Sequence, residues 1–488
     1  MALTAVELFA GVGGFRLGLE GRVKSNNSPF HVIWANQWEP ATKKQHAAEI
    51  YAKRFDLNVN LEDCEVFVGR DGDQLVNKNI NDVLIDSIPA HDLLCGGFPC
   101  QDYSVARTLS GEMGIEGEKG KLWTSIKHIL QQIKTKPRIV FLENVPRLIN
   151  SPASQRGLNF TVIINDLLDL GYDVEWRIVN AADYGFPQKR KRIFVLAYLK
   201  NSISNIPTRT GQEKDILTRI QAWLSQPDDL NSENRSGPFS ESLPIKPIQL
   251  SEKQKISFEP SKMNKSPYQN TGYAWADQNM DKWSVTGIST PIFDGSSKVL
   301  GDVIESEHSK EYVITDIEKL RKYRYVKGEQ KEWRIRKEDQ DKALEIETED
   351  GLNLWDFYKT LTAKYDSSAW ANSRTNSGFI AGLATGIIYN YTAGKMSFPD
   401  PLIKPSRTVV TAEIGKSVSR MRHVIEFEKG QFRRLMPIEL ERLNGFPDDW
   451  TKIEGVTDSK RGFLMGNALV IGVVEQVSFA LVKLMSRG

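Results

Sequence analysis

Cys100 directly follows a proline in GGFPCQDYS, residues 96–104, where glycine and small polar residues stand in place of apolar ones. A thiol there can act as a nucleophile. With a free pKa of about 8.5 it is only slightly ionised at neutral pH, so it needs a cation or a helix N-terminus beside it. Arg190 and Arg192, in QKRKR, are the candidate cations, and Glu143, in ENV, brings a carboxyl. The other cysteines differ. Cys95 lies within a strand pattern, where an inert buried residue is expected, and Cys64 has no companion motif. An odd number of cysteines without C-x-x-C spacing fits neither a disulfide framework nor a zinc site, so no metal is expected.

A second cluster is the glycine turn of ELFAGVGGFRLGLE, residues 7–20, with Gly11, Gly13 and Gly14 between a strand pattern and a helix pattern. Such a turn lets backbone approach a ligand closely; a generic turn is the alternative. The nicotinamide fingerprint G-x-G-x-x-G requires a glycine where this chain has Arg16, which weakens the dehydrogenase reading. The next strand pattern ends in ANQWEP. Gln37, Trp38 and Glu39 there can offer a nucleoside an amide, an aromatic face and an acid, although a core tryptophan is the alternative.

These residues need a scaffold. From about residue 5 to 200, β-branched and aromatic runs alternate with helical patterns, which predicts an α/β domain with a mainly parallel sheet. Strands are expected at 5–10, 31–36, 92–97, 138–144 and 192–198. Ligands bind such sheets at the carboxyl ends of the strands, so the glycine turn, Cys100 and Glu143 converge on one crevice. Leu122, Ile126, Ile129, Leu130 and Ile133 predict a helix ending before Pro137, and Gly171 caps another. Four glycines between Cys100 and Leu122 predict a lid over the site, with a surface excursion as the alternative.

Near residue 201 the chain becomes polar and turn-rich, and helix–strand alternation stops until MPIELERLNGFPDDW, where Pro437 starts a helix and Gly445 stops it. The expected organisation is a catalytic first part at 1–200, a separate irregular or β-containing region at 201–432 whose end falls within about 405–432, and a return to the catalytic domain at 433–488. Residues 468–485 predict a largely buried helix. The composition is ordinary for a globular chain of 488 residues, and a net charge of +2 identifies no polyanionic partner by itself. No signal-peptide pattern or membrane-length apolar run is apparent, so a cytoplasmic protein without a membrane partner is expected.

In order, FAGVGGF (9–15), GGFPCQDYS (96–104), ENVPRL (143–148), NAADYGFPQKRKRIF (180–194), RRLMPIELERLNGFPDDW (433–450) and GNALVIGVV (466–474) resemble the motifs of the DNA (cytosine-5) methyltransferase family. The resemblance implies an S-adenosylmethionine-dependent, Rossmann-like methyltransferase domain plus a smaller target-recognition domain. It also implies covalent catalysis on double-stranded DNA. The thiolate corresponding to Cys100 attacks C6 of a flipped cytosine, C5 takes the methyl group, and loss of the C5 proton expels the thiol. Glu143 corresponds to the residue that hydrogen-bonds N3 and the exocyclic amine, and Arg190 and Arg192 to arginines around the target nucleotide. For S-adenosylmethionine, the matching positions are Phe9, Gly11, Gly13, Gly14, Trp38, Pro99, Leu122, Asn467 and Ala468.

Two positions depart from the family pattern. Gln37 stands where an acid is common, so the ribose contact falls to Gln37 or Glu39, and Asn79-Ile80 stands where an Asp-Ile pair borders the adenine. The region 201–432 corresponds to target recognition, with KLRKYRYVKGEQKEWRIRK (319–337) its best DNA-binding signal and a solvated charged surface the alternative. The resemblance implies a monomeric bacterial or phage modification enzyme whose functional partner is a restriction endonuclease cutting the same site. An RNA cytosine methyltransferase is the nearest rival, and a nucleic-acid-binding relict fold the rival from another class.

Overall fold

The computed structural model describes residues 2–21, 30–40, 42–59, 65–98, 121–152, 155–200, 239, 242–246, 250–256, 265–277, 279–317, 319–320, 323, 331–335, 339–348, 351–363, 380–382, 385–392, 396–415, 418–419 and 421–486. Apolar, β-branched runs bury strands β1 (Leu3–Leu8), β2 (Phe30–Asn36), β5 (Gln74–Val76), β6 (Leu93–Gly97) and β7 (Ile139–Asn144), which pair in parallel in the order β5-β2-β1-β6-β7. Continuous apolar runs suit strands covered on both faces. Short antiparallel strands β3 (Asn58–Val59) and β4 (Val66–Val68) extend one edge. At the other, β9 (Lys191–Leu199) pairs antiparallel with β7, and β8 (Tyr172–Asn180) with β9. The strand β8 was not expected; Gly171, with φ 91°, turns the chain from the preceding helix straight into it.

Alternating side chains divide the core. Ala5, Cys95 and Phe141 point into one apolar layer, with Tyr51 of helix α2 (His46–Arg54) and Phe15 of α1 (Gly14–Glu20). Val6, Leu94 and Val140 point into the other, under α3 (Lys121–Gln132) and α4 (Leu158–Asp169). Three strands drawn from the stretch expected to be a separate module lengthen the same sheet. They are β10 (Gln254–Lys255), β11 (Thr271–Ala276) and β12 (Lys282–Gly287), and β11 pairs antiparallel with β8. Further along, β13 (Lys331–Ile335) and β14 (Ile388–Thr392) pair antiparallel. With α5 (Gln340–Glu345) and α6 (Leu354–Ala363) they enclose a small core of their own around Ile335, Ala343, Leu354, Phe357 and Ile388.

The chain then returns through the hairpin β15 (Val424–Glu428) and β16 (Gln431–Arg434) to three helices, α7 (Pro437–Asn444), α8 (Asp458–Asn467) and α9 (Ile471–Ser486). Gly445 takes the left-handed conformation, φ 82°, that ends α7. Trp450 donates through Nε1 to the Val12 carbonyl at 2.8 Å, and Ser478 of α9 donates to the Gly18 carbonyl at 3.2 Å. Residues 458–482 contain an 18-residue stretch apolar enough to cross a bilayer, yet Ile471, Val474, Val477 and Leu481 are buried in the core that also holds Leu17 and Leu19.

Candidate active site

All five parallel strands end on one rim. Because β9 begins and β8 ends opposite the carboxyl end of β7, the loop 181–190 opens on that rim too. Parallel pairing of β6 with β7 sets Gly97 beside Glu143. A Cβ built on Gly97 would stand 3.0 Å from Glu143 Oε2, so a side chain there would press on the carboxylate. Asn144 donates to the Phe98 carbonyl at 3.2 Å and so holds the chain at the point where it enters Pro99 and Cys100. Pro99 and Cys100, with the expected lid up to residue 120, lie outside the described residues.

Arg192 Nε lies 2.7 Å from Glu143 Oε1. Burial pushes the Glu143 carboxyl above the ordinary glutamate range, against the opposing pull of Arg192 and then Arg190. A raised pKa favours a carboxyl that holds a proton it can donate. Arg190 is buried, and its guanidinium donates to the Val409 carbonyl at 3.1 Å and the Gly466 carbonyl at 2.8 Å. It therefore ties the segment after Ser406 to the end of α8. Gly466 permits that closeness, since a Cβ there would meet the Thr411 backbone nitrogen at 2.3 Å.

On the same rim, Phe9 (φ 54°) and Gly11 (φ 57°) take left-handed conformations in the turn leaving β1. For Phe9 that conformation costs about 1–3 kcal/mol. Gly13, φ 88°, begins α1, and a Cβ there would strike Phe55 Cε2 at 2.4 Å. Gly14 packs against Leu469. Gln37 accepts a hydrogen bond from the Gly11 N–H at 2.7 Å, fastening this turn to the end of β2. Glu39 is held by Lys460 Nζ at 2.6 Å and by the Ala47 N–H at 3.2 Å. Asn79 accepts from the Asn81 N–H at 3.1 Å, and Ile80 is buried. Leu122 is half-buried at the start of α3, while Asn467 is exposed and Ala468 half-buried where α8 ends.

The glycine turn is open on this rim. A Cβ on Gly11 would meet nothing within 4 Å, and Trp38 keeps 37% of its surface exposed at the mouth of the turn. An exposed indole beside open backbone suits a stacked base. These residues fit S-adenosylmethionine.

Sequence reasoning missed several positioning groups. Arg16 is fully buried, 3.0 Å from Glu20 and 2.5 Å from Asp73, with its guanidinium over the Phe55 ring. Its spacing of four from Glu20 on a helix was legible; its contact with Asp73 was not. Glu7, fully buried in β1, accepts from the Tyr51 hydroxyl at 3.0 Å, and burial pushes its pKa up to about 8 despite Tyr51 and Arg16. Gln188 accepts from the Val409 N–H at 3.0 Å and donates to the Leu443 carbonyl at 3.2 Å and to Asn444 Oδ1 at 2.9 Å. Burial raises the Cys95 thiol well above its ordinary pKa, which agrees with an inert core residue.

A parallel sheet wound with helices on both faces and bordered by the antiparallel pair β9 and β8 defines the class: the Rossmann-like fold of S-adenosylmethionine-dependent methyltransferases. Residues 3–483 match the family described as C-5 cytosine-specific DNA methylase, and the chain belongs to that family of DNA (cytosine-5) methyltransferases. It is 34% identical over 492 residues to the type II methyltransferase M.Sau3AI of Staphylococcus aureus, covering 99% of this chain and 96% of that one. The similarity to M.HhaI of Haemophilus parahaemolyticus, 33% identity, covers only 40% of this chain and 49% of that one. Among solved structures, the Entamoeba histolytica methyltransferase EhMeth shares the fold, with a TM-score of 0.50 at 15% identity over 99% of this chain and 98% of that one.

Proposed function

We propose that this enzyme methylates C5 of cytosine at one short sequence in double-stranded DNA, through attack of the Cys100 thiolate on C6 of a base turned out of the duplex. The observation that carries the reading is the rim itself: strand register sets Glu143, paired to Arg192, beside Gly97, three residues before Cys100. Extrusion is required because a stacked base hides C6, at a cost of a few kcal/mol.

The carboxyl of Glu143, kept above its usual pKa by burial, donates to N3 of the cytosine and accepts from the exocyclic amine. Electron density drawn toward N3 makes C6 electrophilic. Arg192 fixes the carboxyl in place, and Arg190 fixes the turn that follows α8. S-adenosylmethionine, when bound, supplies the methyl group that C5 receives. Gly11, Gly13 and Gly14 line the backbone turn for it, Trp38 offers a stacking face, and Asn467 and Ala468 close the far side. Leu122 and Ile80 border the same pocket. Gln37, already bonded to Gly11, is better placed for the ribose than Glu39, which Lys460 occupies.

Similarity to M.Sau3AI across nearly the whole length includes the variable central region, so we assign target reading to that region, centred on the module with its own small core. Protection of host DNA from a restriction endonuclease is the role this supports, with the enzyme acting as a monomer in the cytoplasm. Mapping 5-methylcytosine at base resolution in DNA from expressing cells should show one recurring site. Cys100→Ala should abolish transfer while duplex binding persists; transfer by that variant would remove Cys100 as the nucleophile.

A further inference from the structure

Beyond the strands that build the site, β8, β11 and β12 carry the substrate rim outward. The chain direction shows this: β8 runs to the rim, β11 leaves it and β12 returns, ending at Gly287. From β7, which carries Glu143, to β12 is four strand spacings, about 19 Å. That spans a little over half a turn of B-DNA.

The segments that continue past this rim are stitched together by backbone. Lys246 N–H donates to the Thr290 carbonyl and Ile292 N–H to the Pro244 carbonyl, while Lys298 N–H donates to Gly185 at 3.0 Å. Leu300 N–H bonds the Lys404 carbonyl at 2.9 Å, and Lys189 N–H bonds the Ser406 carbonyl at 2.8 Å. Four lysines of this network, Lys189, Lys246, Lys298 and Lys404, are exposed, as is Lys191 at the start of β9. Three exposed carboxylates, Asp183, Asp294 and Asp302, share the strip; Asp183 accepts from Asn180 at 2.8 Å and Asp302 from the Val299 N–H at 2.7 Å.

Apolar side chains are exposed among them. Ile288 is 68% and Ile403 81% exposed, and Phe293 is 40% exposed although its ring covers Gly185. Lysines set around exposed apolar groups, continuous with a rim that handles a nucleotide, complement a sugar-phosphate backbone in both charge and character.

We propose that this strip grips the DNA duplex beside the target base, independently of sequence, and so adds affinity without reading bases. The proposal rests on the DNA-methylating reading above. Each phosphate contact contributes a salt slope of about 0.9, so over a fourfold rise in salt one lost contact is worth roughly 3.5-fold in affinity. In the full-length chain, Lys246→Gln/Lys298→Gln/Lys404→Gln should flatten the slope by nearly three. Between about 50 and 200 mM salt, wild type should then lose about 40 times more affinity for a short duplex than the triple variant does.

The weakening should be equal for a duplex with the mapped site and one with that site scrambled, and the methylated sequence should stay the same. The corresponding Lys→Arg triple variant keeps the charge and should restore the slope. An unchanged slope in the Gln variant, a loss confined to the cognate duplex, or an Arg variant as weak as the Gln variant each overturns the proposal. Failure of wild type to methylate any duplex would instead sink the underlying reading.

Discussion

Arg190→Met separates two roles for one buried arginine. In the structure its guanidinium donates to Val409 at 3.1 Å and Gly466 at 2.8 Å, joining segments that are far apart in sequence. A hydrogen bond from a charged group contributes about 1.5–3 kcal/mol, and a buried carbonyl left without a donor costs about 1–3 kcal/mol. Two such bonds make the expected destabilisation about 3–6 kcal/mol. Urea denaturation of the apoenzyme measures it as a lower midpoint with an unchanged slope. Because Gly466 precedes Asn467 and Ala468, S-adenosylmethionine affinity measured calorimetrically should fall in parallel. An arginine acting only on the target nucleotide gives the opposite pattern. Stability within about 1 kcal/mol of wild type, unchanged cofactor affinity and a large loss of single-turnover rate would refute the clamp.

Two further substitutions test the electrostatics. Arg192→Gln removes the strongest influence lowering the Glu143 pKa. The carboxyl then keeps its proton to higher pH, so the limb that Glu143 sets in the single-turnover pH–rate profile should move upward; an unmoved limb would contradict its role as donor to N3. Glu7, by contrast, bears on stability. Its folded pKa of about 8 stands above the ordinary carboxyl value, so the folded state retains a proton that the unfolded state loses. The stability it contributes is fully present below the unfolded carboxyl pKa and is lost as pH rises toward 8. Glu7→Gln should therefore have a flatter stability–pH curve than wild type between about pH 5 and 8, read by thermal unfolding. Parallel curves would show that Glu7 does not titrate as a buried acid.

The sequence by itself determined what depends on local order. Runs such as Val140–Leu142 and Ile193–Leu196 are apolar enough to be buried strands whatever surrounds them. Glycines at 11 and 13 permit the positive φ that the turn adopts. The placing of Gly97 and Glu143 at strand ends was legible because a parallel sheet puts every carboxyl end on one rim, whereas Arg192, at the start of its strand, reaches that rim only because β9 runs antiparallel to β7. The region after residue 200 was harder to read. Nothing in the short runs 271–276 and 282–287 announces that they extend the catalytic sheet, because an antiparallel edge strand is chosen by its partner β8 and not by its own pattern.

Tertiary structure alone decided which like residues do different work. Arg190 and Arg192 are two apart on one chain, yet one points to buried carbonyls and the other to Glu143, because the partners arrive from segments near residues 409, 466 and 143. Arg16 sits where the dinucleotide fingerprint has glycine, and Asp73, on the strand side of the fold, makes its burial tolerable. Local pattern fixes backbone conformation through sterics and periodicity. Pairing of distant charges depends on where the chain returns, and that is set only when the two faces of the sheet are packed.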